Sequence, residues 1–203
     1  MTTLHTVGHG TLPAEKFASL LDGAHVARLV DVRSFPGSRH NPQFAREEME
    51  RWVPDGGIGY VWMRELGGRR RPVAGSKHVA LRHDAFRAYA DYMETPAFLA
   101  GVDELLTLAR SEPTAVMCSE SVWWRCHRRL LADHLVLVRG IEVSISCTTA
   151  VSLPTCPPKA CASSTIRSCT TSGSRRRCRS SDRGVVDATY MDCRYPKNSW
   201  SSL

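Results

Sequence analysis

A chain of 203 residues is long enough for one domain with a sizeable core, and its net charge of +7 invites a nucleic-acid reading. The distribution of that charge excludes the inference: residues 1–143 hold 18 Lys+Arg against 17 Asp+Glu, while residues 144–203 hold 9 against 3. No apolar run reaches membrane-span length and MTTLHTVGHG lacks the basic-then-apolar plan of a secretory signal, so a cytoplasmic protein with reduced thiols and no membrane partner is expected.

In chain order, Leu4-His5-Thr6-Val7 alternates as a strand does and ends at the flexible turn Gly8-His9-Gly10. Thr11 then caps a helix with Pro13 near its start, Glu15 in its first turn and an apolar stripe of Phe17, Leu20 and Leu21. Arg28–Val32 reads as a second strand, which completes a parallel strand-helix-strand unit. A loop rich in turn formers and donors runs from Arg33 to Pro42. Asn41-Pro42 starts the next helix, whose face is Phe44, Met49 and Trp52. Ile58–Trp62 is a third strand, followed by a basic loop, Glu65–Pro72. Helices are expected over about 80–94 and 96–110, divided at Thr95-Pro96. Ala115-Val116-Met117 is a buried fourth strand. It breaks at Cys118–Ser121 into a helix that Ser121 caps and that carries Trp124, His127 or Arg128, Leu131 and Leu135 at three- and four-residue steps. Gly140–Val143 begins a fifth strand.

Four blocks, TVGHG, LVDVRSFPGSRHNPQF, ELGGRR and MCSE…CHRRLLAD, together resemble the bacterial domain of unknown function 488 over about residues 4–143. The resemblance implies an α/β domain with a mainly parallel sheet flanked by helices, in agreement with the pattern above, and brings no reaction with it.

The expected division is an α/β domain over residues 1–146 and an irregular tail over 147–203. From Ser144 onward the chain holds 13 Ser and 7 Thr with few large aliphatic side chains, too little apolar surface to offset ordering entropy. Permitted codons from Ser144, read in a shifted frame, give His-Leu-Met-His-Asp-Gly followed by a plausible strand-turn-strand. His-Asp-Gly is the ending that the resemblance implies. A frameshift is therefore the preferred reading, with a basic tail and a nucleic-acid arm around Ser174–Arg177 as the alternatives.

In a parallel sheet the strand ends converge, and open α/β sheets bind ligands beyond those ends. This gathers Thr6, Gly8 and His9; Asp31, Arg33 and Ser34; and Cys118, Ser119 and Glu120. Cys118, Glu120, Asp31 and His9 are the candidate catalytic groups. Thr6, Gly8, Arg33, Ser34, Arg39, Asn41, Ser119, His127 and Arg128 are the candidate ligand contacts, with Arg33 and Arg39 suited to phosphate or carboxylate. The Ser119–Ser121 amides offer an anion seat at a helix N-terminus.

Each has a structural alternative. Cys118 is either a small buried hydrophobe or a nucleophile activated by the helix end and a nearby Arg or His. Asp31, set among apolar residues, must pair with Arg33 or an Arg of the CHRR segment, or do chemistry. Asn41 is first a cap, His9 a turn residue, and Arg69–Arg71 a solvated run. No metal or cofactor is expected: adjacent helical residues such as Cys126 and His127 diverge by about 100°, and no CxxC accompanies them. The loop is similar to those of rhodaneses and cysteine phosphatases, but their Arg would fall at Trp124 and here stands at Arg125. The expected function is a small enzyme acting on an anionic, nucleotide-like or phosphorylated ligand, the rival a non-catalytic nucleotide- or nucleic-acid-binding module.

Overall fold

The computed structural model describes residues 3–37, 39–146 and 192–194. Strands β1 (Thr3–Gly8), β2 (Arg28–Asp31), β3 (Gly59–Trp62), β4 (Thr114–Cys118) and β5 (Glu142–Ser146) form a parallel sheet in the order β3-β2-β4-β1-β5. Leu29-Val30 of β2 and Ala115-Val116-Met117 of β4 are apolar at successive positions because these strands lie inside the sheet with both faces covered. The α/β class and the parallel sheet implied by the sequence are both present.

Helices α1 (Ala14–Gly23) and α2 (Arg46–Asp55) cover one face, where Phe17, Leu21, Met49 and Val53 pack on Val7, Leu29, Ala115 and Met117. Helices α3 (Asp84–Met93), α4 (Pro96–Ser111) and α5 (Arg128–Leu137) cover the other, where Tyr89, Phe98, Val102, Leu105 and Leu131 meet Leu4, Val30, Val116 and Val143. The strict alternation of strand side chains thus builds two cores, one on each face. No helix among the described residues is long and apolar enough to cross a membrane.

Three sequence expectations need correction. Thr11 does not cap α1: the helix starts at Ala14 with Pro13 at the N-cap position and no side-chain cap. α3 starts at Asp84, where the His83 imidazole accepts the Ala85 N–H at 3.2 Å. The largest departure follows β4. Ser121 caps nothing, because the Glu120 carboxylate accepts the Val122 N–H at 3.0 Å and turns the chain into a short 3-10 segment, Trp123–Arg125. Cys126 is then extended and α5 begins only at Arg128.

The proposed irregular tail lies outside the described residues, save for Asp192–Arg194. These form β6, a short strand antiparallel to β5 at the sheet edge.

Candidate functional site

Parallel strands bring the C-terminal ends of β2, β4 and β1 to one edge. A crevice of about 1010 Å³ opens there, lined by His9, Arg33, Ser34, Asn41, Cys118, Ser119, Glu120 and His127 among others. The candidate groups do not form one constellation, however. Asp31 stands in register with Met117, so Cys118 falls on the opposite face of the sheet. Two clusters result, joined where the His9 backbone N–H donates to the Cys118 carbonyl at 3.0 Å.

The first is closed on itself. Asp31 is fully buried, and its carboxylate accepts from Arg33 Nε at 2.9 Å, Arg33 Nη2 at 2.5 Å, the Arg33 backbone N–H at 3.0 Å and the Tyr60 hydroxyl at 2.7 Å. Arg33 Nη1 donates to the Phe44 carbonyl at 2.8 Å and faces His9 Nε2 at 3.4 Å, while Nη2 also reaches Met49 Sδ at 3.4 Å. A guanidinium has five N–H donors, and these contacts engage all of them. Burial and the Asp31 carboxylate push the Tyr60 hydroxyl up, which keeps it a donor. His9 donates from Nδ1 to the Gly10 carbonyl at 2.9 Å and stacks on Phe44 at 4.0 Å. Burial, and then the Arg33 charge, push its imidazole down to about 4, so it stays neutral with Nε2 turned toward a cation. Asp31 pairs with Arg33, as one of the sequence alternatives has it, and neither it nor Arg33 has capacity left for a ligand.

The second cluster contains the thiols. Cys118 ends β4 and is largely buried, and Cys126 lies on the extended link before α5. His127 Nδ1 lies 3.5 Å from Cys126 Sγ and 3.9 Å from Cys118 Sγ. Arg128 is buried: Nη1 donates to Thr6 Oγ1 at 3.0 Å and Nη2 to the Glu120 carbonyl, with no carboxylate partner among the described residues. The Cys126 thiol donating to Cys118, His127 beside it, and the His127 and Arg128 charges hold the Cys118 thiol well below the usual range, against the effect of burial. The same contact with Cys118, together with burial, pushes the Cys126 thiol up. The sulfurs and Nδ1 lie within 4.8 Å of one another, which makes Cys118, Cys126 and His127 the group among the described residues able to hold a metal ion.

Glycines fit this assembly together. A Cβ on Gly8 would collide with the Glu120 carbonyl and approach Arg128 Nη2 to 2.6 Å, and one on Gly68 would strike the His127 ring. The Arg69 N–H donates to Ser34 Oγ at 2.9 Å, and Arg70 donates to the carbonyls of Gly67, Arg64 and Glu65 while stacking on Tyr92 at 3.5 Å. The basic loop is therefore anchored at Arg70 rather than solvated throughout.

The family model for Domain of unknown function DUF488 matches residues 13–135, more than half of the chain. The chain belongs to the DUF488 family. Neither a curated protein nor a solved structure matches it.

The remaining expectations for this DUF488 domain divide by position. Ser34, Asn41 and Ser119 line the crevice, whereas Arg39 is exposed outside it. Asn41 sits at the start of the 3-10 turn Pro42–Phe44 but makes no capping bond. Ser119–Ser121 are not at the N-terminus of α5, so the anion seat expected there loses its helix dipole. Sequence reasoning missed Tyr60 and Phe44 as partners of the first cluster, and Arg69, Arg125, Phe35 and Phe86 as crevice lining. The Gly67-Gly68 pair was the available signal, since consecutive glycines mark close backbone approach.

Proposed function

We propose that this DUF488 domain is a small cytoplasmic enzyme acting on an anionic ligand, phosphorylated or nucleotide-like, in the crevice at the strand ends, with Cys118 as its reactive group. One observation carries the reading. Cys118 shares its crevice with Arg69 and Arg125, both exposed and neither paired with a carboxylate among the described residues. A thiol in one crevice with two uncommitted guanidiniums suits a ligand that bears negative charge. Phe35, which is 64% exposed, and Phe86 and Trp124 on the same walls favour a flat moiety. Glu120 also lines the crevice, and in this reading its carboxylate serves proton transfer. Asp31 and His9 act instead as positioning groups, holding Arg33 and the crevice wall.

The test is turnover of a panel of sugar phosphates and nucleotides by the reduced full chain. Cys118→Ser should abolish turnover while ligand binding persists. Turnover retained in that variant refutes the reading. Ligand affinity that falls steeply with salt, without turnover, favours the non-catalytic nucleic-acid module. The near-balanced charge of residues 1–143 weighs against that rival.

For the end of the chain, the reading is a frameshift near Ser144. β6 occupies only three residues of the β5 edge, where the shifted reading supplies a full strand and turn. Resequencing the source gene tests this, and an intact frame through residue 203 contradicts it.

A further inference from the structure

The contact between two thiols and one imidazole nitrogen serves more than a nucleophile requires. Around a tetrahedral Zn²⁺, with Zn–S about 2.3 Å and Zn–N about 2.0 Å, neighbouring sulfur and nitrogen ligands stand roughly 3.5 Å apart. His127 Nδ1 already stands at 3.5 Å and 3.9 Å from the two sulfurs. The divergence expected of adjacent helical residues does not apply, because Cys126 is extended at φ −109°, ψ 151° and His127 precedes the helix. Their side chains are therefore free to converge, and Cys118 arrives from a different strand.

We propose that Cys118, Cys126 and His127 form a binding site for a thiophilic divalent cation of the Zn²⁺ class, with its fourth coordination position open to the crevice. All three ligands line that crevice, so water or an anionic ligand has access to the remaining position. Thiolate and imidazole donors select zinc-like ions over Mg²⁺ and Ca²⁺, which prefer oxygen. Three protein ligands with one position open is the arrangement of sites that bind substrate, whereas closed structural sites use four. Gly68 leaves the space that the imidazole occupies, and the Tyr89 ring meets it edge-on at 5.2 Å.

Binding releases the thiol protons, and the two thiolates neutralise the divalent charge. The buried Arg128 guanidinium, which has no carboxylate partner among the described residues, then leaves the centre net positive. An anion is the complementary occupant. An ion in the site engages the Cys118 sulfur, so a metal-bound Cys118 is a ligand and only a free one is a nucleophile. The proposal thus goes beyond the reading above and does not depend on it.

The experiment titrates Co²⁺ into the reduced full chain in which Cys147, Cys156, Cys161, Cys169, Cys178 and Cys193 are replaced by serine, leaving Cys118 and Cys126 as its thiols. One Co²⁺ per chain is expected, with a near-ultraviolet thiolate-to-cobalt band and the visible bands of a tetrahedral site. Zn²⁺ should displace it and Mg²⁺ should not. Cys126→Ser and His127→Ala should each weaken binding at least about tenfold, since each removes a ligand. X-ray absorption of the zinc-loaded chain, which needs no ligand variant, should show two sulfurs at about 2.3 Å. A cobalt spectrum without the thiolate band, a band unchanged by Cys126→Ser, or zinc bound only by nitrogen and oxygen overturns the proposal. None of these readouts involves turnover, so failure here leaves the enzymatic reading to its own test.

Discussion

At the scale of single residues, Asp31 and Arg33 form a buried pair whose remaining polar capacity is met by Tyr60, Phe44 and Met49. Removing one partner leaves the other charged and buried, which costs about 3–5 kcal/mol. Asp31→Ala should therefore lower the unfolding free energy by about that amount in urea melts, and a loss below about 0.5 kcal/mol contradicts the pairing. Two other buried groups give the chain an opposed pH response. His9 has a folded-state value of about 4, below that of the unfolded chain. Its contribution is present above about pH 6.5 and is lost as pH falls toward 4. Asp133 is pushed up to about 6 by burial, and its carboxylate has no hydrogen-bond partner among the described residues. Its contribution has the opposite sign: it is present below about pH 4 and lost as pH rises through 6. Between pH 4 and 6 the two effects offset each other. Asp133→Asn should unmask the histidine, so that stability falls with acidification about 1.4 kcal/mol per pH unit more steeply than in the parent. Equal slopes in melts at pH 4.5 and 5.5 refute the assignment.

At the scale of elements, close approach governs the site. Gly8 ends β1 against the Glu120 carbonyl and Arg128, both fixed by their own bonds. Gly8→Ala should cost about 3 kcal/mol or more in thermal or urea melting, because the obstacle is backbone. Gly68→Ala should instead displace the His127 ring. A loss of stability at Gly68 larger than at Gly8 runs against this order. The strands were legible because Leu29-Val30 and Ala115-Val116-Met117 are apolar on both faces, as inner parallel strands must be. The convergence of their ends followed from chain order alone. The division of the site into two clusters was not legible, because a one-residue change in register moves Cys118 to the other face and no local pattern sets that register. The start of α5 was misplaced because the three- and four-residue spacing runs back through Trp124. What decides the boundary is a Glu120 side-chain bond that competes with helix formation. The same misplacement hid the thiol–imidazole cluster, since a helical Cys126-His127 pair diverges.

At the scale of the whole molecule, two unequal cores clasp one sheet and leave a polar crevice at its C-terminal edge. β5 pairs with β1 over its full length, while among the described residues its outer edge meets the three of β6. A frame-restored chain should melt higher than the present one, because its last strands would cover that edge with a longer ladder. Equal melting temperatures for the two chains would weigh against the frameshift. The proposed function requires an anion to bind in the crevice that the Cys118 thiol lines. Alkylation of Cys118 by iodoacetamide in the metal-free, reduced chain, followed by peptide mass analysis, tests it most directly. Nucleoside monophosphates or sugar phosphates should slow labelling of Cys118 in a saturable manner while alkylation of free glutathione added to the same solution continues unchanged. Labelling of Cys118 that proceeds at one rate whatever phosphorylated compound is added would contradict the account.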